Sequence, residues 1–206
     1  MRRRTLLVAV LTAAVAGCSS PAPRPQPEPV APEVPFFATP ARLPTTPPHL
    51  DPTRPPPGPP LPSPVPIPVD SYAPEPVREI GTIEIPAIGL RHRMFQGVTL
   101  HNIDRGPSHW TGSALPGELG NAVFAGHRAT HDQPFRDIDA LDPGDTVTFT
   151  VNGARSTYEV TGHLIVGPSD SWIADQTHDH TATLYACHPV GSMAERYVVR
   201  LRLVGA

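Results

Sequence analysis

Lysine is absent from this chain of 206 residues, and cysteine occurs only twice. All sixteen cations are arginines, set against nineteen acidic residues for a net charge of −3. No block of basic residues gathers anywhere, which excludes the concentrated cationic face that nucleic-acid binding requires. Two cysteines cannot build a disulfide framework, and one of them, Cys18, sits in the leader. Cys187 is therefore left without an intramolecular partner and must serve packing or chemistry. Long apolar runs are missing too. The longest, over residues 5–17, is shorter than the roughly 20 residues that span a bilayer as a helix.

Proline is what the chain has in excess. Of 30 prolines, 23 fall between Pro21 and Pro76. Proline lacks the backbone donor and fixes φ, so this stretch keeps neither helix nor central strand and reads as a disordered, extended spacer. Ahead of it stand Arg2-Arg3-Arg4, the short apolar run and Val15-Ala16-Gly17-Cys18, the layout of a secretory signal. The last four residues resemble a bacterial lipobox, which implies that Cys18 is lipidated. The expected organisation is a lipoprotein-type signal peptide over 1–17, a lipidated cysteine with its proline-rich spacer over 18–76, and one domain over 77–206. The domain is expected outside the cytoplasmic membrane, anchored to its outer face and projecting toward the wall.

Within the domain the periodicity is two rather than 3.6. Val147, Phe149 and Val151 alternate with Thr146, Thr148 and Thr150, and Asn152-Gly153 then supplies a strong hairpin signal. Further strands are expected in 81–86, 121–126, 163–167, 181–187 and 196–204. Helix is limited to a turn near 134–141. Seven or eight short strands argue for an all-β barrel or sandwich, and a barrel is favoured because it leaves no edges. In the last strand Tyr197, Val199, Leu201 and Leu203 face inward, while Arg196, Arg200 and Arg202 face solvent or a groove.

Three residue types here suffice for acyl transfer. A cysteine thiolate is an intrinsically strong nucleophile, a histidine can protonate a departing amine near neutral pH, and an arginine can hold a developing oxyanion. Cys187 in TLYACHP, His127 in FAGHR and Arg196 in ERYVVRL supply them. The pair His127 and His131 has a spacing that binds zinc on a helix, but no glutamate completes that motif and the segment is not helical; no metal and no cofactor are expected.

The domain resembles a sortase, most nearly the class E type of high-GC Gram-positive bacteria. The resemblance covers residues 80–206 and rests on GTIEIPAIGL, GPSHWTGSALPGELGNAVFAGHR, PFRDIDALDPGDTV, and TLYACHP followed by RYVV. It implies an eight-stranded barrel with His127 as the catalytic histidine, Cys187 as nucleophile and Arg196 as the groove arginine. Cys187 would cleave an LPxTG or LAxTG sorting signal between threonine and glycine, and the thioester would pass to a peptidoglycan-precursor amine. Tyr185, Ala186, His188 and Trp172 are expected to meet the signal. The partners implied are secreted proteins carrying that signal, and the protein itself is expected to be a monomer. Two features depart from the family pattern: Ala186 stands where threonine is usual, and the lipobox replaces a transmembrane anchor. An L,D-transpeptidase is disfavoured because TLYAC lacks the Ser-His-Gly-Cys string. A surface lipoprotein that binds sorting signals without turnover is the alternative, favoured by Ala186 and opposed by the retention of all three residue types.

Overall fold

The computed structural model describes residues 58–205. Eight strands are present: β1 Glu79–Ile85, β2 Leu90–Gln96, β3 Ser108–His109, β4 Gly120–Ala125, β5 Thr146–Val151, β6 Ala154–Val166, β7 His180–His188 and β8 Glu195–Leu203. They close into a barrel in the order β1-β2-β3-β4-β7-β8-β6-β5, with β5 pairing back onto β1. Among the described residues helix is confined to α1 (Leu100–Ile103) and three short 3-10 turns, one of them Ile138–Ala140 within the expected segment. The Asn152-Gly153 hairpin is in place, with Val151 opposite Ala154. The strand expected at 163–167 is the end of the long strand β6, which starts at Ala154 as the return strand of that hairpin and whose register shifts between Val160 and Gly162. Among the described residues no helix is long and apolar enough to cross a membrane.

Alternation along β4, β7 and β8 sorts their side chains onto two faces. Ala122, Phe124, Ala182, Leu184, Ala186, Val199 and Leu201 join the core inside the barrel. There Phe124 stacks on Phe149 at 5.0 Å, and Phe149 meets Tyr158 edge-on at 5.5 Å. The intervening residues Val123, Ala125, Tyr185 and Val198 belong to a second apolar cluster, with Trp110, Val166, Ile173 and Ala174. All six residues of β4 are consequently buried, the pattern of a strand covered on both sides.

Described residues upstream of Val77 belong to the same compact unit as the barrel. Residues 63–75 of the stretch read as spacer lie against the barrel. Val65 N donates to Thr111 O (2.8 Å), Trp110 Nε1 donates to Val65 O (2.7 Å), and Leu100 N donates to Ser71 O (2.7 Å). Glu75 anchors the end of this strap, its Oε2 accepting from Thr99 N, Thr99 Oγ1 and Asn102 Nδ2. Two glycines make room for it. A Cβ at Gly112 (φ +83°) would strike the Ser63 carbonyl, and one at Gly97 (φ +96°) the Glu75 carboxylate. The composition foretold the extended conformation. It did not foretell that an extended chain offers free carbonyls and amides to any donor or acceptor that passes.

Candidate active site

β7 delivers the cysteine and β8 the arginine. The two strands run antiparallel, with Thr183 opposite Arg200, Tyr185 opposite Val198, and Cys187 opposite Arg196. β4 runs parallel to β7 on its other side, Ala125 beside Tyr185, and Gly126 N donates to Tyr185 O (3.1 Å). His127 therefore follows β4 at the height of Cys187. All three residues fall on the outer face by the same period-two alternation that puts Phe124 and Leu184 inside.

A groove of about 850 Å³ runs over this face, and His127, Cys187 and Arg196 all line it. Its floor is Trp110, Ala125 and Tyr185, and one wall is the loop after β6, including Ile173 and Ala174. The opposite wall is the strap itself, Pro64 through Val69. Cys187, the free cysteine among the described residues, is half-buried there. Arg196 directs Nη1 at the carbonyls of Met193 and Glu195, at 3.0 and 2.9 Å.

His127 is held from its far side. Its Nε2 lies 2.8 Å from Asp104 Oδ1, and the same oxygen is 3.5 Å from Nδ1 of His131. The two imidazoles stack at 4.9 Å, 17° from parallel. Asp104, His127 and His131 offer three ligand atoms within 4.8 Å of one another and could hold a divalent ion. The segment carrying both histidines is not helical, as the sequence suggests; Asp104, 23 residues upstream, is the group the sequence reading missed.

The remaining candidates divide. Tyr185 forms part of the floor, its ring 6.0 Å from Trp110. Burial pushes its phenol far above the ordinary tyrosine value, partly opposed by the Arg196 cation. Ala186 borders the groove but is 2 % exposed and packs with the inner core. Trp172 and His188 are not among the residues lining the groove. Trp172 stands half-exposed with the Arg200 guanidinium 5.7 Å from its ring. His188 Nδ1 accepts from Arg128 Nη1 (3.1 Å). Arg128, which sequence reasoning did not single out, is buried beneath the site and pairs with Asp139 at 2.7 Å. Arg200 is spent structurally as well, donating to Ile173 O and Thr183 Oγ1, and its burial lowers its pKa from the ordinary value. Arg196 is thus the arginine of β8 that faces the cysteine.

A cysteine, a histidine and an arginine line one groove outside a closed eight-stranded barrel, a residue set able to carry out acyl transfer. The chain belongs to the sortase family: the family's sortase-domain model matches residues 83–204. It is similar to sortase D of Bacillus subtilis (strain 168), 30 % identical over 133 residues that cover 63 % of this chain and 66 % of that one. It is also similar to sortase SrtE1 of Streptomyces coelicolor, at 27 % over 146 residues, covering 63 % and 42 % respectively. Among solved structures, the Clostridium perfringens sortase D5 transpeptidase superposes with a TM-score of 0.57 at 33 % identity, over 62 % of this chain and 79 % of that one. The chain thus spans slightly under two thirds of the B. subtilis relative and under half of the S. coelicolor one.

Proposed function

We propose that the protein is a transpeptidase that cleaves LPxTG- or LAxTG-like sorting signals between threonine and glycine and transfers the cargo to a cell-wall amine. The observation that carries this reading is the groove, whose lining Cys187, His127 and Arg196 share with an extended, proline-containing segment of the chain itself. A groove bordered by the extended Pro64-Val65-Pro66 backbone suits a substrate that is extended and contains proline.

In this mechanism the Cys187 thiolate attacks the threonine carbonyl carbon, and Arg196 stabilises the oxyanion that forms. His127 gives its proton to the glycine nitrogen as the C–N bond breaks, leaving a threonyl thioester on Sγ. An acceptor amine then attacks the thioester and transfers a proton to His127, and Cys187 leaves as the thiolate. The peptidoglycan-precursor acceptor, the finer class E placement and the monomeric state belong to this proposal. So do export and anchorage through a lipidated Cys18, a residue outside the described ones.

The test is incubation with internally quenched LPxTG and LAxTG peptides plus a small amine. Peptide joined to the amine, lost in Cys187→Ala, is the expected result. No cleavage, together with a Cys187 that resists alkylation in the folded chain, would favour the non-catalytic surface lipoprotein instead.

A further inference from the structure

We infer that Asp104 is the positioning residue for His127: it fixes which imidazole nitrogen faces the reaction. The inference rests on the reading of His127 as the proton donor of an acyl transfer. Asp104 Oδ1 is a carboxylate oxygen and can only accept, so the nitrogen 2.8 Å away, Nε2 of His127, must carry a hydrogen. Nδ1 is thereby left as the nitrogen that exchanges a proton with the reacting groups. Without the carboxylate either tautomer is available, and the ring can rotate about its χ angles.

The carboxylate is itself fixed. Asp104 closes α1 as its C-cap, with its backbone N–H donating to Leu100 O at 2.9 Å. The start of that helix is tied down by Glu75 through Thr99 and Asn102. The side chains of His127 and Asp104 are only 14 % and 23 % exposed, which protects their bond from competing water. His131 closes the outer side, stacked on the His127 ring and 3.5 Å from the same oxygen. Nucleophile, base and orienting carboxylate thus follow the general logic of hydrolase triads, with the third group supplied by a four-residue helix.

Asp104→Ala and Asp104→Asn in the full chain test this. The first readout needs no substrate: side-chain ¹⁵N shifts of His127 should show a protonated Nε2 in the wild type. They should show a mixed or reversed tautomer in Asp104→Ala, and the wild-type tautomer in Asp104→Asn, whose amide oxygen still accepts. The second compares the threonyl-glycine amide with the corresponding threonyl thioester of a small thiol. A thiolate leaves without needing a proton, whereas an amine does not. Asp104→Ala should lower kcat on the amide by about 10²-fold with KM unchanged, and on the thioester by less than about tenfold. An unaltered tautomer in Asp104→Ala would overturn the inference, as would equal loss on both substrates. A bound metal ion that the purified wild type retains and Asp104→Ala loses would overturn it in favour of a ligand role. If the wild type cleaves no sorting signal at all, the function proposed above fails, while the tautomer readout still decides on Asp104.

Discussion

Cys187 and Arg196 face each other across β7 and β8 as direct cross-strand neighbours. Directly opposed residues on one face have their Cβ atoms about 5 Å apart, so a bound carbonyl beside Sγ lies within reach of the guanidinium. Only one guanidinium nitrogen is held by backbone carbonyls. Removing Arg196 should therefore cost transition-state stabilisation more than binding. Arg196→Ala is expected to lower kcat/KM on a sorting-signal peptide by about 10²–10³-fold. Arg196→Lys should recover only part of it, since lysine supplies charge without the planar fork. Steady-state kinetics with both variants check this.

The strap lines the groove that an extended substrate would enter, so loosening it widens the entry. Val65→Pro removes the N–H that reaches Thr111 O while keeping the segment extended. One lost hydrogen bond is worth about 1 kcal/mol, or roughly a fivefold shift in strap occupancy. KM for the peptide should fall by about that factor with kcat unchanged, and iodoacetamide should label Cys187 faster. Unchanged KM and labelling would mean that the strap does not restrict the groove.

Arg128 is the buried cation under the site. It bonds Asp139, the Arg136 carbonyl at 3.1 Å and His188 Nδ1, and its guanidinium lies 5.6 Å from the Tyr197 ring centroid. Arg128→Met would leave two acceptors without donors, while Asp139, 44 % exposed, returns to water. A loss of about 2–4 kcal/mol is expected, seen as a lower urea midpoint with an unchanged slope.

His109 sets an acid limit on stability. It is 2 % exposed, and burial lowers its pKa, partly offset by its bond from Nε2 to Ala114 O at 2.8 Å. A histidine depressed in the folded state binds its proton more readily when unfolded. Its contribution is therefore intact above about pH 6.5, the unfolded value, and is lost as pH falls toward the folded one. His109→Gln should flatten the decline of urea stability between pH 7 and 5, a comparison of chemical denaturation curves at each pH.

The strands were legible where alternation is clean. β5, β7 and β8 carry a residue pattern of period two, and their pairing explains why a lone cysteine meets an arginine nine residues away. β2 was not legible. Its Arg91-His92-Arg93 stretch is polar, with Arg91 and Arg93 exposed, and Leu90 and Met94 are the side chains that reach the inner core. β3 has two residues, too few for any periodicity. His127, Cys187 and Arg196 could be named because the strings around them, FAGHR, TLYACHP and RYVV, resemble those of sortases. Asp104 could not, because an aspartate after a four-residue helix looks like any surface acid until the fold folds it under His127. Arg128 escaped for the opposite reason: nothing in its neighbours signals burial, which comes from Asp139 and Tyr197 arriving from elsewhere in the chain.

The double-sided burial of β4 has a consequence for anyone wishing to retarget the groove. Each residue of its outer face backs onto a layer whose inner face is the barrel's own core, so a changed side chain in that wall strains two packings at once. Directed evolution toward a new peptide should therefore leave Val123 and Ala125 untouched. Tolerated diversity should collect in the loop following β6 and along the strap, borders of the groove that no barrel strand supplies.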